Sequence, residues 1–94
     1  EEGEAIQQMQ LIYPDPGSII YVPHEISGEK GRVIFEARHR EEGKTIFWSI
    51  DDQFIGRTDQ YHEIAVDPKE GNHILLLVDD DGNQLKTNFE VIDK

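Results

Sequence analysis

Apolar and polar side chains alternate in short runs along most of this chain. Val33, Phe35 and Ala37 fall on one side of an extended segment while Arg32, Glu36 and Arg38 fall on the other, because strand side chains change face at every residue. Residues 32–39 are therefore predicted to form a half-buried strand. Ile46, Trp48 and Ile50 share a face in the same way, and Trp48 is the only tryptophan. A face carrying three large apolar groups has to be buried, which makes Trp48 the expected anchor of the core. Ile64 and Val66 share a face within residues 61–66, as do Thr87, Phe89 and Val91 within 85–92. One run breaks the alternation. Ile74-Leu75-Leu76-Leu77-Val78 is apolar throughout, the pattern of a central strand covered on both faces.

Turn chemistry separates these runs. A first short strand over 9–13 ends at Pro14-Asp15-Pro16-Gly17 and restarts over 18–22 before Pro23. Prolines remove backbone donors, so an interrupted strand of this kind suits a sheet edge. Residues 27–31 and 40–44 read as loops. Asp51-Asp52 reads as a tight turn into residues 53–57, and Asp67-Pro68-Lys69-Glu70-Gly71 as a further turn. Asp79-Asp80-Asp81-Gly82-Asn83 is a strong hairpin signal, with Gly82 at a site that needs positive φ. No window shows a helical stripe with caps, and turn signals recur about every 8–12 residues. The fold expected is an all-β, immunoglobulin-like sandwich of seven or eight short, mainly antiparallel strands, over residues 9–94. Residues 1–8 are expected to be a linker or disordered lead-in.

Composition narrows the choice of partners. Ninety-four residues support one domain and one core. The net charge of −11, from 20 acidic and 9 basic residues, argues by repulsion against nucleic acid and anionic lipid surfaces. No apolar run approaches the ~18 residues that cross a bilayer, so direct membrane insertion is not expected, and any targeting segment is expected upstream. Cysteine is absent, so the core must hold the fold without disulfides or thiolate metal sites.

An ordered set of residues carries a family resemblance. Ile12-Tyr13-Pro14 precedes Gly17, Trp48-Ser49-Ile50-Asp51 precedes Ile55-Gly56, and Gly71-Asn72-His73 leads through Leu77-Val78-Asp79 to Gly82. In this order and spacing the chain resembles, over residues 10–92, the small C-terminal domain of bacterial penicillin-binding protein 1C, a bifunctional peptidoglycan synthase. Asp52 stands where that family often has glycine, which leaves the shape of the turn open. The resemblance implies a periplasmic domain appended behind a glycosyltransferase and a transpeptidase that this chain lacks. It supplies no catalytic residue and no cofactor. It marks Trp48, Gly56, Gly71, His73, Asp79 and Gly82 as structural anchors, and it makes a bacterial α2-macroglobulin-like protein a candidate partner by association.

Several short motifs carry less than they first offer. Ser27-Gly28-Glu29-Lys30 fits the Ser-x-x-Lys pattern and Lys86-Thr87-Asn88 nears a Lys-Thr-Gly box, yet the tetrad needs a helix that Gly28 and Gly31 oppose, and Ser-Asp-Asn is missing. Gly43-Lys44-Thr45 ends like a phosphate loop but leads into a strand. Asp79, Asp80, Asp81 and Asn83 offer hard oxygen ligands for calcium, without the EF-hand spacing. His24, His39, His62 and His73 show no pairing that presets a metal site. Adjacent acids Glu41-Glu42 and Asp51-Asp52 face opposite ways in extended chain and form no acid/base couple.

Aromatic residues carry the remaining candidate site. With Trp48 in the core, Phe47, Phe54, Tyr61, Tyr13 and Tyr21 are the aromatics left to consider, and Phe47 must point away from Trp48, either onto an exposed sheet face or beneath the C-terminal strand. Phe47 and Tyr61 are the candidate surface-binding residues. The function expected is that of a noncatalytic accessory domain, a periplasmic spacer or a docking module for envelope proteins or peptidoglycan. The alternative is a carbohydrate-binding sandwich module of another surface or polymer-degrading protein, with exposed aromatics as its platform.

Overall fold

A computed structural model describes residues 7–22 and 31–93. The Ser27–Lys30 tetrad, His24 and most of the predicted lead-in lie outside the described residues. Eight strands follow in order: β1 (Met9–Tyr13), β2 (Ile19–Val22), β3 (Val33–His39), β4 (Ile46–Ile50), β5 (Gln53–Thr58), β6 (Glu63–Val66), β7 (Gly71–Asp79) and β8 (Gln84–Asp93). They build two sheets, one ordered β1-β3-β6 and the other β2-β8-β7-β4-β5. No helix occurs among the described residues. The all-β sandwich expected from the alternation is the fold observed.

The proline-interrupted segment acts as an edge twice. β1 closes one side of the three-stranded sheet and β2 one side of the five-stranded sheet, so the break at Pro14-Asp15-Pro16-Gly17 is where the chain changes layer. Gly17 takes φ 73 there, a conformation glycine adopts without steric cost. β2 pairs with β8 in parallel, Ile19 against Glu90 through Val22 against Asp93, while every other described pairing is antiparallel.

Between the sheets lies one core. Phe35, Ile46, Trp48, Leu75 and Leu77 are wholly buried, and Ile20, Val22, Phe89 and Val91 are nearly so. Each such side chain contributes roughly 1.5–3 kcal/mol by leaving water. Phe35 and Phe89 meet edge to face across the layers, with ring centroids 5.3 Å apart. Such a contact favours opposed sheets at close packing distance.

One turn and one strand depart from simple expectation. Asp51 and Asp52 both take positive φ, 52° and 68°, so the β4–β5 turn keeps a left-handed geometry even though neither residue is glycine. Asp is among the few non-glycine residues that enter this region, and the Asp51 side chain ties the turn to β7, its Oδ1 accepting from the Ile74 N–H at 2.9 Å. Downstream, β5 carries a bulge between Phe54 and Gly56 that leaves Ile55 unmatched. Such insertions bend an edge strand and deter pairing with other chains.

The apolar run in β7 corrects the sequence reading. β7 is indeed the middle strand of its sheet, yet only Leu75 and Leu77 are buried, while Ile74 is 47% exposed and Leu76 and Val78 are half-buried. A two-layer sandwich covers only one face of each sheet. The second apolar face of β7 therefore points out of the molecule.

Candidate functional site

Register places the outward side chains of the five-stranded sheet in rows across the strands. Arg57, Phe47, Val78 and Gln84 form one row, and Phe54, Ser49, Leu76 and Lys86 the next. Ile74 and Asn88 follow. Phe47 thus lies on the outer face, between Arg57 and Val78, and not beneath β8, which β7 separates from β4. Phe54 is 65% exposed. Together Phe47, Phe54, Ile74, Leu76 and Val78 make a contiguous apolar surface, the kind of patch that marks interaction sites on soluble domains.

Charge is distributed unevenly around this surface. Glu90 is the only acid at an outward strand position of the five-stranded sheet among the described residues, although acids outnumber bases 20 to 9 in the whole chain. The outer face of the three-stranded sheet carries Glu36, Arg38 and Glu63 instead.

Tyr61 occupies a different place. It is 84% exposed in the β5–β6 loop and lines a groove of about 820 Å³ with Arg38, Glu41, Glu42, His62 and Glu63. The structure does not bring Phe47 and Tyr61 onto one surface.

Beneath that groove lies a hydrogen-bond chain. Trp48 Nε1–H donates to Thr58 Oγ1 at 2.9 Å, and the same hydroxyl is hydrogen-bonded to His62 Nδ1 at 2.7 Å. Burial holds the His62 imidazole below its ordinary pKa, the nearby His39 adds to this, and Asp59 opposes it. His39 is fixed separately: the Glu41 N–H donates to its Nδ1 at 3.0 Å, so its Nε2–H donates to Asp79 Oδ2 at 2.8 Å. The side chains of that His39–Asp79 pair are 1% and 0% exposed.

Asp79 organises the β7–β8 hairpin. Its Oδ1 accepts from the backbone N–H groups of Asp81 and Asn83, and its Oδ2 from Asn83 Nδ2 as well as His39. Burial pushes its pKa up, but these four bonds outweigh that and bring it down to about 2. Asp80 accepts from the Thr45 N–H, Asp81 pairs with Lys44 at 2.8 Å, and Gly82 takes φ 85. All three acids of the turn are thus engaged by protein donors.

At the other end of the sandwich His73 bridges two turns. One ring nitrogen meets Asp51 Oδ2 at 2.7 Å and the other the Lys69 carbonyl at 2.6 Å. The ring also stacks on Phe89 with centroids 5.3 Å apart, and Gly71, at φ 124, admits the chain to β7. The His73 bond and the Ile74 N–H lower the Asp51 pKa.

Lys86 and Thr87 lie on β8, with Lys86 outward, so the near-match to a Lys-Thr-Gly box sits on an exposed strand.

Comparison with known families is decisive at the level of kinship. A family model described as the penicillin-binding protein C-terminus family matches residues 1–89. The chain belongs to that family. No curated protein matches this chain. Among solved structures, the fibronectin(III)-like modules of Clostridium thermocellum CbhA superpose with a TM-score of 0.61 at 17% identity, covering 92% of this chain and 95% of the module. That likeness concerns the fold. The membership agrees with the resemblance carried by the tryptophan strand and the Gly71–Gly82 segment.

Proposed function

We propose that this penicillin-binding protein C-terminal domain is a noncatalytic docking module of a peptidoglycan synthase of the penicillin-binding protein 1C kind, working in the periplasm. The observation that carries the reading is the outer face of the five-stranded sheet: apolar, nearly free of acids, and uncovered by the described residues. A face with this composition serves association rather than chemistry. Candidate partners are envelope proteins, a bacterial α2-macroglobulin-like protein among them, or peptidoglycan itself.

The test is a titration of the isotope-labelled domain with purified peptidoglycan fragments, following every backbone amide, beside capture of envelope proteins on the immobilised domain. Docking predicts localised shifts or a specific capture that maps to β4, β5 and β7. No shift at millimolar fragment and no capture would leave the domain a spacer.

A further inference from the structure

We infer that the occupant of the five-stranded face is a protein surface with an apolar centre and carboxylates at its rim. This rests on the docking reading above and names the partner's chemistry.

Three observations favour it. First, the centre of the face is branched aliphatic: Ile74, Leu76 and Val78 project side by side from β7, with Phe47 and Phe54 flanking them. Side chains of this shape interlock with other apolar side chains. Sugar rings instead stack on flat, open aromatics; at the centre of the face only Phe54 offers one, since Phe47 is half-buried and the exposed Tyr21 stands on β2 at the opposite edge of the sheet.

Second, cations frame the apolar centre. Lys86 has no ion-pair partner among the described residues, and Arg57 reaches Asp59 only at 3.9 Å, with both side chains more than half exposed. An exposed pair at that distance contributes little, so both cations are available to an incoming carboxylate.

Third, the field of the rest of the molecule cannot substitute for this frame. With a net charge of −11 the domain as a whole repels an acidic partner, but charges are screened beyond about 8 Å at physiological salt. The local Arg57 and Lys86 therefore decide which charge is accepted at this face. A five-stranded face is roughly 24 Å across at about 4.8 Å per strand, the scale of small, transient interfaces.

Site-specific photo-cross-linking in the full-length parent protein, in cells, tests the inference. A benzophenone-bearing phenylalanine analogue replaces Phe54 in one experiment, Tyr61 in a second and Ile34 on the opposite sheet in a third. The expected result is a protein adduct from position 54 alone. Its cross-linked peptide is apolar and rich in Asp or Glu, and its yield falls several-fold in Lys86→Glu and further in Lys86→Glu with Arg57→Glu. Native Trp48 emission confirms that these variants remain folded. A glycan adduct at position 54, an adduct peptide without acids, or a yield indifferent to charge reversal would overturn the inference while docking at this face stood. Adducts only at 61 or 34, or no adduct at any of the three positions, would overturn both.

Discussion

The Ile64 Cδ1 atom lies 2.8 Å from the point where a Cβ on Gly56 would stand. Gly56 is the partner of Trp48 in the β4–β5 pairing, so Ile64 enters from the opposite sheet into space that only glycine leaves open. Gly56→Ala is predicted to destabilise the domain by about 1–3 kcal/mol, because φ 157 strains an L side chain and the Ile64 side chain must shift as well. Ile64→Val removes the clashing atom, so the double variant should lose less than the sum of the two single changes. Urea unfolding of all four proteins measures this, and strict additivity would refute the contact.

Thr58→Val tests the chain from Trp48 to His62. It leaves the indole N–H without its acceptor in a site where Trp48 is wholly buried, at a cost of about 1–3 kcal/mol. Trp48 emission should remain blue-shifted and shielded from quencher in the native variant, shifting red only on unfolding. A neutral effect on the unfolding midpoint would show that the bond is dispensable.

Stability should depend on pH in two windows. Asp79 has a folded pKa of about 2 against 3.8 in the unfolded chain, so its stabilisation is complete above 3.8 and is lost as pH falls toward 2. The difference is on the order of 2 kcal/mol. His62 is shifted below 6.5, so the unfolded chain takes up its proton first and stability falls as pH drops through 6.5. Denaturation across pH 8 to 2 should show both slopes. Asp79→Asn should flatten the acidic one and His62→Gln the one near neutrality.

Much of this fold is legible in the sequence because alternation is a local property. Val33, Phe35 and Ala37 are buried as their spacing predicts, and so are Ile46 and Trp48. Long-range partnerships are not legible. His39 and Asp79 stand 40 residues apart, and the parallel pairing of β2 with β8 depends on where the chain changes sheet. The candidate site was half visible. Phe47 was marked by its opposition to Trp48, but the run Ile74–Val78 read as burial on both faces, whereas a strand in a two-layer sandwich has only one covered face. Arg57 and Lys86 gave no signal, because their place beside Phe47 and Leu76 arises from register alone.

The most direct measurement compares Phe54→Glu with Tyr61→Glu for capture of envelope proteins and peptidoglycan by the immobilised domain. Both side chains are largely exposed, so each variant should keep its unfolding free energy within about 0.5 kcal/mol of the parent. Phe54→Glu is expected to abolish specific capture and Tyr61→Glu to preserve it. Capture lost in Tyr61→Glu but intact in Phe54→Glu would move the functional surface to the loop-end groove and contradict the assignment of the five-stranded face.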